Sequence, residues 1–93
     1  MKYKLHFTQA AKYDSKKAHK WYEEIRKGLG DRFRKELTSA TNHLRQDPSS
    51  IQTRYRDVRI IFLKVFPYGV HYRIVENQVH ILAVLHTSRK PKA

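Results

Sequence analysis

The stretch VRIIFLKVFPYGVHYRIVENQVHILAVLHTSR, residues 58–89, decides the fold of this chain. It is rich in Val, Ile and Phe, which favour β-strands, and its apolar runs are broken at hairpin spacing by residues 66–69 and by residues 76–77. This pattern predicts three consecutive antiparallel strands. From Arg54 onward, eight Lys or Arg residues stand against only two acidic residues. We therefore expect the sheet to contact an anionic partner, which is a nucleic acid, a nucleic-acid enzyme or an acidic protein.

The residues before this stretch predict one more strand and a helical hairpin. Residues 3–7 alternate between apolar and polar side chains, as a strand with one buried face does. A first helix is predicted from Thr8, its N-cap, to about Lys27, and the Gly-Leu-Gly sequence at 28–30 supplies a turn. A second helix opens at Asp31 and stops before Asp47-Pro48, because the residue before a proline is disfavoured in helical geometry.

Each predicted helix carries one apolar stripe. The stripe of the first helix comprises Ala11, Ala18, Trp21 or Tyr22, Ile25 and Leu29, and that of the second comprises Phe33, Leu37, Ala40 or Thr41, and Leu44. A helical hairpin cannot bury these stripes alone, so it should pack across one face of the sheet. The predicted fold is α+β, a single domain over residues 1–93. Its helical hairpin lies on a four-stranded, mainly antiparallel sheet, in the order β-α-α-β-β-β.

Composition excludes several classes of chemistry. The 93 residues contain no cysteine, so disulfides, thiol catalysis and cysteine zinc sites are excluded, and a reducing cytoplasm is the expected compartment. The six histidines are scattered without metal-ligand spacing, and no glycine-rich phosphate loop is present, so we expect neither a metal nor a cofactor. We expect a soluble protein without a signal peptide or membrane span. The formal net charge of +12 favours an acidic partner.

The order of elements and four local motifs together resemble the RelE/ParE superfamily of type II toxin-antitoxin toxins, over nearly the whole chain. The motifs are Trp21-Tyr22-Glu23, Gly28-Leu29-Gly30 followed by Phe33 and Leu37, Val58-Arg59 leading to Phe66-Pro67-Tyr68, and Val84-Leu85-His86-Thr87-Ser88-Arg89. The spacing of Tyr72 after Phe-Pro-Tyr, and of Arg89 after His86, is more similar to the ParE or plasmid-stabilisation branch than to the RelE nucleases.

The resemblance implies a bacterial growth-arresting toxin that a cognate antitoxin, small and acidic or amphipathic, holds inactive. The ParE branch implies inhibition of DNA gyrase. The alternatives are a ribosome-dependent messenger-RNA endoribonuclease of the RelE type, and a non-toxic family member that only binds its antitoxin. In an ungapped alignment Gly69 stands where the RelE nucleases have an arginine in their third strand. Their second arginine falls near Pro91, or on Arg89 after a shift.

Two sets of candidate site residues follow. Cleavage of RNA needs a base, an acid and cations for the phosphate, and His86, Arg73, Arg59 and Arg89 are the candidates for a nuclease. Binding of the target or the antitoxin is assigned to a second set of aromatic and basic residues. That set comprises Arg54, Tyr55, Arg56, His71, Trp21 and Lys90. Because strand side chains alternate, His71 and Arg73 are expected on the open face of the sheet, opposite Val70 and Tyr72 in the core.

Overall fold

Residues 3–88, which the computed structural model describes, form a five-stranded sheet with a helical hairpin packed across one face. The elements are β1 (Lys4–Phe7), α1 (Gln9–Ile25), α2 (Leu29–Gln46), a 3₁₀ turn (Pro48–Ser50), β2 (Thr53–Tyr55), β3 (Val58–Phe62), β4 (Tyr68–Val75) and β5 (Gln78–His86). The strand order across the sheet is β1-β5-β4-β3-β2. β1 is parallel to β5, and all other neighbouring strands are antiparallel.

The expected four-stranded, mainly antiparallel sheet with the order β-α-α-β-β-β is wrong, since the sheet is mixed and has a fifth strand. The additional strand, β2, pairs through Thr53 and Tyr55 with the start of β3. All three residues of β2 are exposed, so it lacks the apolar alternation by which a strand is recognised in a sequence. The parallel pairing arises because β1 lies beside the last strand, where Leu5 and Phe7 are opposite Val79 and Ile81.

The helical hairpin depends on two local features. Thr8 caps α1 as expected, because its Oγ1 accepts a hydrogen bond of 3.1 Å from the backbone N–H of Ala11. Gly28, with φ of 89°, precedes α2. A Cβ at Gly30 would lie 2.6 Å from the carbonyl oxygen of His19, so only glycine lets the two helices approach this closely. α1 ends and α2 begins two residues earlier than expected, at Ile25 and Leu29.

The core lies between the hairpin and the sheet. The predicted stripe of α2 is confirmed, since Phe33, Leu37, Thr41 and Leu44 are buried. In α1, Ala11 and Ala18 are buried, but Ile25 was wrongly placed in the stripe and is 59% exposed, because the helix ends there and the chain turns away. On the sheet, the buried members of the core are Tyr68, Val70, Tyr72, Val79, Ile81 and Val84.

Tyr72 ties the end of the hairpin to the sheet. Its side chain is fully buried, and its hydroxyl donates a hydrogen bond of 2.6 Å to the carbonyl oxygen of Pro48. Burial raises the pKa of this hydroxyl to about 12; Arg59 opposes the increase and Asp47 adds to it. The hydroxyl therefore stays protonated, and able to donate, throughout the physiological range. Within residues 3–88, neither helix is long and apolar enough to cross a membrane.

Candidate functional site

The candidate site is the face of the sheet that the described helices leave uncovered, called here the open face. Alternation along β4 places His71 and Arg73 on this face, whereas Val70 and Tyr72 belong to the core on the other face, as expected. His71 is opposite Ile60 on β3, and Arg73 is opposite His80 on β5. The open face thus combines cationic, aromatic and aliphatic groups.

Arg73 is held in place by an ion pair. Its Nη2 lies 3.3 Å from Oδ1 of Asp57, which belongs to the turn between β2 and β3. The arginine side chain is 42% exposed, but its Nε is buried and makes no hydrogen bond within the described part of the chain. Because both side chains are partly exposed, the pair contributes little to stability. The main effect of the ion pair is to hold the Arg73 guanidinium in a defined position on the open face.

His71 and Tyr55 form the second contact of the open face. The hydroxyl of Tyr55 lies 3.0 Å from Nδ1 of His71, and their ring centroids are 6.0 Å apart. Burial lowers the pKa of His71 below the usual value of 6.5, and the carboxylate of Asp14 raises it in part. The imidazole is consequently neutral near pH 7, and its Nδ1 shares a hydrogen bond with the Tyr55 hydroxyl, whose direction is set by the imidazole tautomer.

The lowered pKa of His71 predicts a pH dependence of stability. Below about pH 6.5 the unfolded chain takes up a proton at His71 more readily than the folded chain, so the free energy of unfolding should fall as the pH decreases. One proton accounts for at most about 1.4 kcal/mol per pH unit. Urea unfolding of wild type and His71→Asn between pH 5 and 7.5 measures this contribution as the difference in slope. Equal slopes would refute it.

The other end of the open face is apolar. The guanidinium of Arg54 lies 5.3 Å from the centroid of the Phe62 ring, in cation–π contact. A Cβ at Gly69 would lie 2.9 Å from Ile60 Cγ2 and 3.2 Å from Phe62 Cε1. The place that the resemblance associates with a catalytic guanidinium is therefore bordered by two apolar side chains. Arg56 is exposed in the turn after β2, with φ of 50°.

The described members of the candidate nuclease set lie apart. Arg59 Nη1 donates to the carbonyl oxygens of Ser49 and Ile51, on the helix side of the sheet. The His86 ring packs edge-on against the Tyr68 ring, and the two ring centroids are 5.2 Å apart. Its Nδ1 is engaged by the backbone N–H and the hydroxyl of the nearby Ser88.

The distance from His86 to Arg73 is set by the register of β4. His86 is opposite Tyr68, and Arg73 stands five residues further along the same strand, which corresponds to about 17 Å. His86 therefore lies beside the start of β4 and Arg73 lies near its end, and Arg59 is on the other face from Arg73. Arg89 and Lys90 lie outside the described residues.

Trp21 and Tyr22 separate as expected for neighbours on a helix. Tyr22 enters an aromatic cluster with Phe33, Phe66 and Tyr68, with ring centroids 5.6, 4.8 and 6.0 Å away. Trp21 is 54% exposed on α1, away from the open face. It is available for contact with a partner, but not as part of the same surface as Tyr55 and His71.

Sequence reasoning missed how the acidic side chains are used. Three of them accept hydrogen bonds from backbone N–H groups: Asp14 from Val84, Glu23 from Gly28 and Gly30, and Glu36 from Lys64 and Val65. Asp31 and Asp57 contact His19 and Arg73. Five of the eight acidic residues are thus engaged by contacts within the chain, although the side chains of Asp31 and Asp57 remain 65% exposed. Sequence spacing carries no signal of contacts this distant along the chain.

One cluster in residues 3–88 has the composition of a metal site. Atoms of His19, Glu23 and Asp31 lie within 4.8 Å of one another. However, His19 Nε2 is already 3.1 Å from the Asp31 carboxylate, and each oxygen of Glu23 accepts a backbone N–H at the start of α2. The positive end of that helix disfavours a cation here. The contacts of the cluster are those of a structural link between α1 and α2.

The chain is similar to known toxins in both sequence and fold. A family model described as the ParE toxin of the type II toxin-antitoxin system, parDE, matches residues 5–91. No curated protein matches the chain. The chromosomal ParDE toxin-antitoxin system of P. aeruginosa contains a similar chain, with a TM-score of 0.81 and 17% identity over 92% of this chain and 97% of that one.

A second similar structure is the toxin-antitoxin complex RelBE2 of Mycobacterium tuberculosis. Its matching chain has a TM-score of 0.67 and 22% identity, over 92% of this chain and 99% of that one. At these identities the two structures establish the fold. The family match extends over nearly the whole sequence and confirms the resemblance noted above. The protein therefore belongs to the ParE family of type II toxin-antitoxin toxins.

Proposed function

We propose that this toxin arrests bacterial growth by binding a macromolecular target, DNA gyrase, rather than by catalysis, and that a cognate antitoxin neutralises it. The observation that carries the proposal is the composition of the open face. That face presents Arg54, Tyr55, Phe62, His71 and Arg73, a mixture of arginine and aromatic groups. Such side chains supply most of the binding energy at protein interfaces.

The separation of the candidate catalytic residues also supports inhibition. General acid–base cleavage requires both proton-transfer groups within hydrogen-bond reach of one substrate. His86 and Arg73 are about 17 Å apart along β4, and Arg59 is engaged by two backbone carbonyls on the other face. A nuclease of the RelE type would need a large rearrangement of the sheet to bring these three side chains together.

An antitoxin partner is supported by charge and by family membership. The two similar solved structures are toxin-antitoxin assemblies. The net charge of +12 and the internal use of most acidic side chains leave a surface that an acidic, amphipathic segment would complement. We propose that such a segment covers part of the open face, and thereby blocks access to the target.

Induced expression in a bacterium that lacks the antitoxin tests the function. We expect growth arrest with filamentation and induction of a DNA-damage reporter, while incorporation of labelled amino acids continues in the first minutes. A block of translation within minutes, without the damage response, would replace the proposal by the nuclease function. Undisturbed growth at verified expression would indicate a family member that only binds its antitoxin.

A supercoiling assay with purified gyrase tests whether the open face is the surface that contacts the target. The exposed Arg54 lies over Phe62, so Arg54→Glu should raise the concentration needed for inhibition at least about tenfold, since an interface arginine contributes on the order of 1.4 kcal/mol or more. Arg32→Glu makes the same change of charge at an exposed position of α2 and should have little effect. His86→Ala should still inhibit. If Arg54→Glu and Arg32→Glu behave alike, the open face is not the contact surface.

A further inference from the structure

The outer side of α1 carries two parallel rows of exposed side chains. One row is Lys12, Lys16 and Lys20, and the other is Tyr13, Lys17 and Trp21. Residues four apart on a helix are neighbours on its surface, separated by about 6 Å along the axis. These six residues, called here the α1 ridge, form a strip of lysines with an aromatic ring near each end.

Both rings are unusually accessible. Tyr13 is 66% exposed and Trp21 is 54% exposed, although large aromatic side chains usually bury most of their area. The Lys17 ammonium lies 5.8 Å from the centroid of the Tyr13 ring, in cation–π contact. The ridge therefore offers ring faces beside positive charges, rather than isolated groups.

Negative charge is directed away from the first part of the ridge. Asp14 lies between its residues in sequence, but its carboxylate accepts a hydrogen bond of 3.0 Å from the backbone N–H of Val84 on β5. The Ser15 hydroxyl donates a hydrogen bond to the carbonyl oxygen of Ala11, and the His19 side chain contacts the Asp31 carboxylate on α2. From residue 12 to residue 21, the exposed side chains of the helix are lysines and two aromatic residues.

We propose that the α1 ridge binds single-stranded nucleic acid, with phosphates on the lysine ammonium groups and bases stacked on Tyr13 and Trp21. Aromatic side chains interleaved with positive charges are the means by which proteins hold single strands without sequence preference. The binding site is separate from the open face, because α1 packs against the opposite side of the sheet. The proposal therefore does not depend on the identity of the toxin's target.

The arrangement of the two rings favours a nucleic acid over an acidic protein helix. A protein helix docks through a continuous apolar stripe, typically with anchors at successive turns. Here Lys17 stands between Tyr13 and Trp21, so the apolar groups are separated by a charge. A nucleic-acid strand alternates flat bases with phosphates, and both kinds of group find a counterpart on the ridge.

The fluorescence of Trp21 reports binding at the α1 ridge directly, because Trp21 is the only tryptophan of the chain. Titration of the full-length protein with oligo(dT) should quench its fluorescence, since a stacked base contacts the indole ring. Inorganic polyphosphate, which has charge but no bases, is the matched probe and should leave the emission nearly unchanged. Equal quenching by both polymers, or no quenching by oligo(dT) at saturation, would overturn stacking.

The affinities of variants for a labelled oligo(dT), measured by anisotropy, distinguish base stacking on Tyr13 and Trp21 from simple hydrophobic contact. Trp21→Ala and Tyr13→Ala should each weaken binding about fivefold or more, the effect of losing one stacked base. Ile25→Ala is the control, because Ile25 is 59% exposed one turn beyond Trp21 but has no ring. An equal loss from Ile25→Ala would indicate an apolar docking surface and overturn the proposal.

The salt dependence of the affinity for oligo(dT) tests whether the lysines of the α1 ridge contact phosphates. Each phosphate contact to a single strand contributes about 0.7 to the slope of log affinity against log salt concentration. Lys16→Gln/Lys20→Gln should therefore reduce this slope by about 1.4. Arg32→Gln/Lys35→Gln removes the same charge from exposed positions of α2 and should leave the slope almost unchanged. Equal reductions, or tighter binding of a duplex or of poly-glutamate than of oligo(dT), would contradict the proposal.

Discussion

Replacing Phe33 by alanine should lower the free energy of unfolding by about 3–5 kcal/mol, the usual cost of removing a buried phenylalanine ring. Phe33 is 1% exposed and lies at the centre of the aromatic cluster. Its ring is 5.4 Å from that of Phe66, 5.2 Å from Tyr68 and 5.6 Å from Tyr22. A chain of 93 residues is expected to have a total stability of roughly 5–14 kcal/mol, so the loss is a large share.

Urea denaturation followed by circular dichroism measures this change, and Phe62→Ala is the matched control. Phe62 is 46% exposed on the open face, so removing its ring leaves no enclosed cavity, and the expected loss is below about 1 kcal/mol. A similar loss from both variants would mean that the aromatic cluster does not dominate the core. If Phe33→Ala does not fold, Phe33→Leu keeps part of the volume and should give an intermediate value.

Removing the Glu23 carboxylate should destabilise the helical hairpin by about 2 kcal/mol or more. Its two oxygens accept hydrogen bonds from the backbone N–H groups of Gly28 and Gly30, at 2.9 and 3.0 Å. Both donors belong to the start of α2, where no intrahelical partner exists, and a partly buried donor left without a partner costs about 1–3 kcal/mol. The carboxylate also complements the positive end of the helix dipole.

The neighbouring Glu24 supplies the control, because it is an exposed carboxylate on the same helix. Glu24→Ala should change the free energy of unfolding by less than about 0.5 kcal/mol, as substitutions at exposed positions usually do. Glu23→Gln should recover part of the loss, since an amide oxygen can still accept one of the two hydrogen bonds. Equal effects of Glu23→Ala and Glu24→Ala would show that the carboxylate does not cap α2.

The helices and the division of β4 into two faces were predictable from the sequence. The spacing of Phe33, Leu37, Thr41 and Leu44 matches one side of a helix, and all four are buried. The strand β2 was missed, because its three residues are all exposed and show no apolar alternation. The parallel pairing of β1 with β5 was missed for a related reason, since apolar alternation does not specify which strand becomes the neighbour.

For the candidate site, the sequence predicted the side chains of the open face but not the contacts between them. His71 and Arg73 share that face because they are two residues apart on one strand. Their partners, Tyr55 and Asp57, come from the strand β2 and the turn after it, a segment for which the sequence pattern predicted no strand. The separation of His86 from Arg73 likewise depends on the register of β4 and β5.

The sequence by itself determined both helices and four of the five strands of this protein, its positive charge and its family, because these depend on side-chain period, composition and motifs. The tertiary structure alone decided which groups meet. It placed Arg73 beside Asp57, Tyr55 beside His71, and Glu23 at the start of α2. It also turned the Asp14 carboxylate toward Val84 and away from the α1 ridge. These outcomes depend on strand register and on helix packing, which join residues that are distant along the chain.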